Sequence, residues 1–549
     1  MSREFNYEKS IRALKNNAKR KNFYSALQLH DYFLKGKYVN PDGDEARRYL
    51  KMSYDMFKKQ NIKLEKINIK SYRAFEEILI NDFDPNLNVF VGNNGAGKTT
   101  FLDAIELSLS WLSISINKNG GLGGLIDECD INNYSEQPSS SILSTIEINE
   151  NIKADIALHK TKSGRSKFKN KVNEVKTVGG FYKIANEFDP DFNMPLLAYY
   201  NVMRSYDVNP KDLRNLDDIG TSTVVDKFDA YDKSLNGKTD FNSFVKWYYK
   251  SDHKISRDSS ERNKKELLSL LGINEEMIDR LGGMSDSDDD VKKLYEKFKN
   301  LYSHSKSEDK ETEVLYRHRE LINKVIKNFM GNYSDIEVQL EPMIDLVIKK
   351  NNRKISVMQL SQGEKTLLAL ILDISRRLII LNPSLENPLR GQGIVLIDEF
   401  DLHLHPKWQR VVANKLVETF PNCQFFLTTH SPLVIGEVDP KHIFIFSENS
   451  ESKLVLLRPK QSYGLTSNQV LNELMNDEFT PQLGRAQKVE NRIKEIFELI
   501  EEEDNESLVL AQSKIEELEK DLHGDIPELI TAKAQLELQW EWLDDEEDQ

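Results

Sequence analysis

The feature that most constrains this 549-residue chain is an octapeptide at residues 92–99, Gly-Asn-Asn-Gly-Ala-Gly-Lys-Thr. It has the spacing G-x-x-x-x-G-K-[ST], and it lies between the apolar residues 87–91 and a helical pattern. A glycine-rich turn between a strand and a helix lets backbone N–H groups converge on phosphate oxygens, and the helix amino terminus adds positive potential. We therefore expect an α/β fold with a phosphate-binding loop. Its members are Gly92, Asn93, Asn94, Gly95, Ala96, Gly97, Lys98, Thr99 and Thr100.

A second apolar segment, residues 394–397, ends in the acidic pair Asp398 and Glu399. This form is typical of a central parallel strand that delivers acids to its carboxyl edge. We expect Thr99 and Asp398 to hold Mg²⁺, and Lys98 to reach the β- and γ-phosphates of a nucleoside triphosphate. Glu399 is placed to polarise the water that attacks the γ-phosphate, so Glu399 and Lys98 are candidate catalytic residues. The alternative, an acidic turn that merely faces solvent, is disfavoured by the phosphate loop upstream.

Two more short motifs follow along the chain. Leu-Ser-Gln-Gly-Glu occupies residues 360–364, before a helical segment, and Thr-Thr-His-Ser-Pro occupies residues 428–432. With the phosphate loop (Walker A) and the acidic pair (Walker B), they resemble the ABC-type ATPases of the SMC, RecF and overcoming-lysogenization (OLD) group over residues 62–446. The resemblance implies an α/β ABC-type P-loop ATPase head with a mixed, largely parallel sheet. It also implies ATP and Mg²⁺ as cofactors, and a head-to-tail homodimer that sandwiches two ATP molecules.

The same resemblance assigns roles to residues outside the phosphate loop. It implies that Ser361 and Gly363, in the signature motif, contact the γ-phosphate bound by the opposite subunit, and that His430 is the catalytic switch histidine. A hydroxyl and backbone N–H groups at a helix amino terminus are suited to an anion, which agrees with the role of the signature motif. Arg73 matches the place where related ATPases put a basic residue near the nucleotide, and a plain charge at a strand end explains it equally well.

Several other features fit two interpretations. His403 and His405 are metal-ligand residue types, but no third ligand has suitable spacing, and their segment resembles the D-loop of the same ATPase group. The acidic residues 286–290 lack the glycine and glutamate of a calcium loop, which favours a solvated loop. Residues 160–176 contain seven basic residues and one acid, which fits a nucleic-acid patch or, more commonly, a solvated hairpin tip. The candidates for the family's Q-loop are Gln137 and residues 199–204.

Composition and charge exclude several classes of protein. The chain has 39% hydrophobic and 30% charged residues, as globular proteins do. Its two cysteines, Cys129 and Cys423, are too few for a disulfide framework, so we expect a cytoplasmic location. No apolar segment is long enough to span a membrane. The net charge of −14 is concentrated in residues 491–549, which have 20 acidic and 5 basic residues, and it therefore does not argue against nucleic-acid binding.

The pattern along the chain predicts five parts. Residues 1–60 have helical periodicity with the small and aromatic positions of one tetratricopeptide-like pair, which we expect to pack on a neighbour. Residues 61–206 form the amino-terminal lobe of the ATPase with Walker A. Residues 207–335 are polar and predict an inserted helical lobe. Residues 336–465 form the carboxy-terminal lobe with signature, Walker B and switch histidine, and residues 466–549 form acidic helices.

The order of these parts is similar to that of one narrower group of ATPases. A basic helical start, a modest insertion and the lack of an Asp-x-Asp pair after His430, which a Toprim nuclease needs, are similar to the PtuA family. Those are the ATPases of Septu-type antiphage defence, which also occur in retron operons. The resemblance implies an ATP-hydrolysing regulatory subunit with no nuclease site of its own. Its implied partners are a PtuB-like HNH nuclease and, in retron versions, a reverse transcriptase with its branched RNA–DNA product.

Two rival functions remain open. A RecF- or SMC-like DNA-repair ATPase that acts directly on DNA predicts salt-sensitive DNA binding by the purified protein. An adaptor that binds ATP only to join two subunits predicts binding without hydrolysis.

Overall fold

A computed structural model of the protein divides the chain into two compact units, Met1–Tyr463 and Gly464–Gln549. The residues that it describes are 7–118, 120–135, 137, 139–162, 168–206, 226–252, 254–255, 305–339, 345–449, 453–475, 486–502, 504–522, 524 and 526–547. The acidic loop at residues 286–290 and most of the expected inserted lobe lie outside these residues. Across the described ranges, no helix is both long and apolar enough to cross a membrane.

Among the described residues, the chain begins with three helices and ends with four, and strands and helices are mixed between them. The helices of the first unit are α1 Tyr7–Lys19, α2 Phe23–Lys35, α3 Gly43–Phe57, α4 Lys98–Asn117, α5 Asn173–Phe188, α6 Ser305–Met330, α7 Gln362–Leu381, α8 Pro406–Thr419 and α9 Pro432–Ile435. Its strands are β1 Lys63–Tyr72, β2 Phe75–Ile80, β3 Leu87–Gly92, β4 Ser139–Asn149, β5 Ile152–Thr161, β6 Leu196–Tyr200, β7 Tyr333–Gln339, β8 Asp345–Lys350, β9 Arg353–Ser356, β10 Gly393–Ile397, β11 Cys423–Thr429, β12 Ile443–Glu448 and β13 Leu454–Leu457. The second unit contains α10 Ser467–Leu474, α11 Gln487–Glu501, α12 Asn505–Leu522 and α13 Pro527–Glu547.

The central sheet has the strand order β13-β12-β3-β11-β10-β6. Every neighbouring pair in it is parallel except β12 with the edge strand β13. β3, β10 and β11 are buried along their whole length, which explains their nearly continuous apolar sequences. Because β11 lies between β3 and β10, the loops that follow these three strands emerge side by side at one edge. The sheet confirms the expected α/β fold with a mixed, largely parallel sheet.

Two antiparallel sheets complete the strands of the first unit. One has the order β2-β1-β4-β5, in which β4 and β5 form a hairpin, and the other has the order β7-β8-β9. The backbone N–H of Leu64 in β1 donates to the side-chain oxygen of Gln424 in β11 at 2.7 Å. This buried hydrogen bond ties the β1 sheet to the central sheet.

Helix α7, which follows the signature motif, is held by a fully buried ion network. Asp373 accepts from Arg376 at 3.0 Å, from Arg377 at 2.9 Å and from the Tyr200 hydroxyl at 3.0 Å. Arg377 also donates to the carbonyl of Ala230. Since removing one partner of such a network leaves a buried charge uncompensated, these contacts fix α7 against β6 and against the residues around Ala230.

The amino-terminal helices attach to the same unit through aromatic rings. α2 begins at the cap Asn22, whose side chain accepts from the Ser25 N–H, and it ends at Gly36 in the left-handed conformation. The ring centroids of Phe23 and Phe57 lie 5.0 and 4.8 Å from that of Phe181 in α5. A single helical pair therefore packs on the body of the protein rather than standing alone.

The second unit has its own apolar core. Helices α11, α12 and α13 contribute Ile496, Leu508, Leu518 and Leu529, which are all nearly inaccessible to solvent. Arg492 pairs with Asp521 at 2.6 Å on the surface of this unit.

Candidate nucleotide-binding site

The phosphate loop joins the end of β3 to the start of α4. Gly97, at the amino-terminal cap of α4, has φ +86°, and a Cβ there would come within 2.7 Å of the Phe75 ring. A Cβ on Gly92 would come within 2.7 Å of the carbonyl oxygen of Phe446. Both positions therefore require glycine, since any side chain would push the loop away from its neighbours. In the rest of the loop, solvent reaches Asn94, Gly95 and Thr99 freely and Asn93 and Thr100 partly, whereas Ala96 is buried.

Lys98 lies in the inner part of this loop. Its Nζ donates to the carbonyl oxygens of Gly92 and Asn93 at 2.9 and 3.0 Å. Burial lowers the pKa of Lys98 to about 8, while the charges of Asp398 and Glu399 act in the opposite direction. Most of the Lys98 side chains are therefore cationic at neutral pH, as binding to phosphate requires.

The acidic pair follows β10 and meets the loop directly. The Thr99 hydroxyl donates to Oδ2 of Asp398 at 2.8 Å, although 299 residues separate them in sequence. The Thr428 hydroxyl, at the end of β11, donates to the other carboxylate oxygen of Asp398 at 2.5 Å. A threonine hydroxyl beside a carboxylate is a set of hard oxygen donors, so these residues fit Mg²⁺.

Glu399 has an unusual backbone conformation, with φ +44°. Its N–H donates to the Thr428 hydroxyl at 2.7 Å. Burial raises the pKa of Glu399, and the neighbouring charges of Asp398 and Asp401 raise it further. A partly buried carboxylate with a raised pKa is a better proton acceptor than an exposed one, which is the property a general base needs.

Two further predicted site residues are His430 and Arg73. His430 follows β11 directly, and burial, then the charge of Lys98, lowers its pKa. Arg73 has φ +47° and donates to Asp103 at 2.5 Å and to Asp130 at 2.8 Å. Its guanidinium is therefore engaged with two carboxylates, one of them on α4.

The signature motif caps α7. Ser361 is the cap residue, and it forms a reciprocal capping box with Glu364. A Cβ on Gly363 would come within 2.1 Å of the His403 carbonyl oxygen, so only glycine permits this approach of two backbone segments. The Glu364 carboxylate accepts from the Tyr333 hydroxyl and from Nζ of Lys350.

Ser361 and Gly363 line a groove of about 600 Å³. Its other walls come from α6, β7, β8 and α8 and include Lys350, His405 and Lys407. None of the residues that line this groove, all within the described ranges, belongs to the phosphate loop.

Some contributors to the site escaped the sequence analysis. Thr428 lies within a recognised motif, but its bridging role between Asp398 and Glu399 carries no local signal. Arg204 lies in the Q-loop candidate segment and donates to backbone carbonyls of the acidic pair. The other Q-loop candidate, Gln137, has its backbone N–H bonded to the Ser135 hydroxyl.

The remaining alternatives lie outside this centre. The His405 ring caps α8 by accepting from the Lys407 N–H, and His403 has φ +62°. Within the described part of the chain, no group of three or more His, Cys, Asp or Glu side chains is arranged to hold a metal ion. In the basic hairpin, Lys160 pairs with Glu128 at 3.3 Å.

Comparison with known proteins adds independent findings. Residues 62–435 match the family AAA_15, described as AAA ATPase domain. The chain is similar to the retron Vc95 probable ATPase of Vibrio cholerae serotype O1 biovar El Tor, with 35% identity over 78% of this chain and 82% of that protein. It is similar to the retron Ec83 probable ATPase of Escherichia coli, with 34% identity over 82% of this chain and 83% of that protein.

A third similarity is more local. The Septu protein PtuA of Bacillus mycoides (strain KBAB4) is 38% identical over 92 residues, which are 17% of this chain and 12% of that protein. The family match runs from β1 to α9, and it confirms the fold class expected from the motifs.

Proposed function

Because this chain belongs to the AAA ATPase domain family and is related to retron-associated ATPases, we propose that it binds ATP with Mg²⁺ and hydrolyses it to ADP and phosphate. The observation that carries this proposal is the hydrogen bond between Thr99 and Asp398. It places the hydroxyl of the phosphate loop and the first Walker B acid together, with Glu399 as the next residue. Distant parts of the sequence thus converge on the oxygen donors and the base that phosphoryl transfer needs.

In the proposed reaction each residue has a distinct task. The phosphate loop and Lys98 bind and neutralise the β- and γ-phosphates, and Thr99 with Asp398 would hold Mg²⁺. When bound, Mg²⁺ would neutralise charge that develops on the phosphate oxygens. Glu399 orients the attacking water and accepts its proton, since its raised pKa favours proton acceptance. His430 lies beside the same centre and is assigned to the γ-phosphate.

We assign the signature motif to a second copy of the chain. Ser361 and Gly363 line a groove that does not include the phosphate loop of their own chain, so a neighbouring subunit is the natural recipient of the Ser361 hydroxyl and the Gly363 N–H. Two chains arranged head to tail would complete two ATP sites. ATP binding would favour this homodimer only through tighter binding to the closed state than to the open one.

The biological setting is proposed from the relatives. Retron-associated and Septu proteins are among them, which supports a cytoplasmic antiphage defence complex. In this proposal the ATPase state controls an associated HNH nuclease (PtuB-like), with a retron reverse transcriptase and its branched RNA–DNA as further partners.

Three variants of the full-length protein test the ATPase assignment. Lys98→Ala should abolish MgATP binding, because the cation of the phosphate loop is lost. Glu399→Gln should retain MgATP binding and stall hydrolysis. Glu386→Gln, at an exposed glutamate, is the matched control and should hydrolyse ATP at the wild-type rate.

Binding by a fluorescent ATP analogue and phosphate release are the two measurements. Wild-type hydrolysis rates in both Lys98→Ala and Glu399→Gln would disprove the assignment. ATP binding with no phosphate release at any protein concentration would indicate an adaptor instead. Salt-sensitive stimulation of hydrolysis by DNA alone would favour a directly DNA-acting ATPase.

A further inference from the structure

Arg204, the last residue of the Q-loop candidate segment, lies beneath the acidic pair. Its side chain is 1% exposed. Nη1 donates to the backbone carbonyls of Asn201 at 3.0 Å and of Asp398 at 2.5 Å, and Nη2 donates to the backbone carbonyl of Glu399 at 2.6 Å. One guanidinium therefore holds the carbonyls of both Walker B acids.

These contacts act on a strained backbone. Glu399 has φ +44°, in the left-handed region that residues other than glycine rarely adopt. Such a conformation persists only where the surroundings fix it. Here the N–H of Glu399 is held by the Thr428 hydroxyl and its carbonyl is held by Arg204. The backbone of Glu399 is thus held on both sides, which fixes the point from which its carboxylate extends.

The position of Arg204 is set by its own element. It lies in the short 3-10 turn Val202–Tyr206, directly after β6, the neighbour of β10. The Asp398 N–H donates to the Tyr200 carbonyl at 2.8 Å, and the Asn201 N–H donates to the Gly237 carbonyl at the same distance. The two residues directly before the turn that carries Arg204 are therefore bonded to Asp398 on one side and to residue 237 on the other.

The arginine remains a cation in this place. Burial lowers its pKa to about 10, and the nearby carboxylates of Asp398, Asp401 and Glu399 oppose that change. It is therefore charged at neutral pH, and three acids face it. A planar guanidinium donates to several carbonyls in a fixed geometry, whereas an ammonium on a flexible chain does not reproduce the same set.

We propose that Arg204 is a positioning residue for ATP hydrolysis, which fixes the Glu399 carboxylate towards the attacking water by holding the backbone carbonyls of Asp398 and Glu399. It makes no contact with the phosphate loop among its hydrogen bonds in the described residues. The inference rests on the proposed ATPase function, in which Glu399 is the base. According to this inference, Arg204 increases the rate of the chemical step and does not affect the affinity for nucleotide.

The test compares the effects of substitutions at Arg204 on kcat and on MgATP affinity in the full-length protein. Arg204→Met should lower kcat by about 100-fold, the order of loss that a small misplacement of a catalytic group causes, and should leave MgATP affinity unchanged. Arg204→Lys keeps the cation and part of the donor set, so its kcat should be about tenfold higher than that of Arg204→Met and about tenfold lower than that of the wild type. Arg204→Lys also decides the question if Arg204→Met does not fold, as judged by circular dichroism and thermal melting.

Arg458→Lys is the matched control, because Arg458 also donates to two backbone carbonyls, but to those of Lys441 and Asp82. It should not produce a selective loss of kcat. A folded Arg204→Lys protein with wild-type kcat would overturn the inference, and so would losses of affinity and kcat in equal proportion. If Glu399→Gln leaves hydrolysis intact, the proposed function fails; if Glu399→Gln stalls hydrolysis and Arg204→Lys does not slow it, only the role of Arg204 fails.

Discussion

Replacing Tyr333 with phenylalanine tests how the signature helix is held. The Tyr333 hydroxyl donates to the Glu364 carboxylate, which also accepts from Lys350 at 3.0 Å and from the Ser361 N–H at 2.8 Å. Burial alone would raise the pKa of Glu364, but the hydrogen bonds from Tyr333, Ser361 and Lys350 outweigh it and lower the pKa to about 2. Glu364 is therefore ionised at neutral pH and anchors Ser361 through its backbone N–H.

The structure sets the size of the effect. A hydrogen bond to a charged group contributes about 1.5–3 kcal/mol. The lower value applies here, because Lys350 and the Ser361 N–H still satisfy the carboxylate after the change. If the lost hydrogen bond destabilises the active position of Ser361 by about 1.5 kcal/mol, the rate of ATP hydrolysis should fall roughly tenfold. MgATP affinity should not change, because the groove that Tyr333 and Glu364 line includes no residue of the phosphate loop.

The assay is a double-mutant cycle on phosphate release, with Tyr333→Phe, Glu364→Gln and both together. Because Tyr333 acts through Glu364, the double variant should hydrolyse ATP within about twofold of Glu364→Gln alone. Tyr463→Phe, at an exposed tyrosine, is the control for removing a phenol hydroxyl. Wild-type kcat in Tyr333→Phe, or losses that multiply in the double variant, would refute this account of the signature helix.

Three further predictions follow from single contacts. Gly363→Ala places a Cβ within 2.1 Å of the His403 carbonyl oxygen, so it should abolish hydrolysis and leave MgATP binding intact, as equilibrium binding and phosphate release would show. Thr428→Val removes the hydroxyl that bonds to both Walker B acids at nearly constant volume. In a Mg²⁺ titration, its half-maximal ATPase activity should require a higher Mg²⁺ concentration than in the wild type. Burial raises the pKa of Cys423 to about 12 whereas Cys129 is exposed, so Ellman's reagent should detect one thiol in the native protein and two in denaturant.

The sequence predicted the parts of the fold that depend on local chemistry. The phosphate loop could be found because its glycines have a spacing that only a strand-to-helix turn explains, and the structure places it there. The acidic pair was predicted to follow a buried strand, and it follows β10 directly. Parallel strands bring their carboxyl ends to one edge, so local motifs were enough to predict that these loops are neighbours.

Contacts between distant residues could not be predicted in this way. Arg204 and the Asp398 carbonyl are 194 residues apart, and the hydrogen bond between them depends on the pairing of β6 with β10. The start of β7 at Tyr333 falls within the last residues of the expected inserted helical lobe, 207–335. The register of β7 shifts between residues 334 and 336, and Asp335 has φ +46°, so a bulge interrupts the alternation that marks a strand.

The approach of Gly363 to the His403 carbonyl ties together two loops that serve different partners. In the proposed ATPase, the loop after Glu399 belongs to the chain's own phosphate site, whereas the turn at Gly363 faces a neighbour in the homodimer. Two backbone segments in van der Waals contact cannot move independently, because neither has a side-chain end that can swing aside. A shift of the loop after Glu399 on phosphate release would therefore displace the turn at Gly363, which completes the second ATP site of the proposed homodimer. Hydrolysis at the two sites should therefore be coupled.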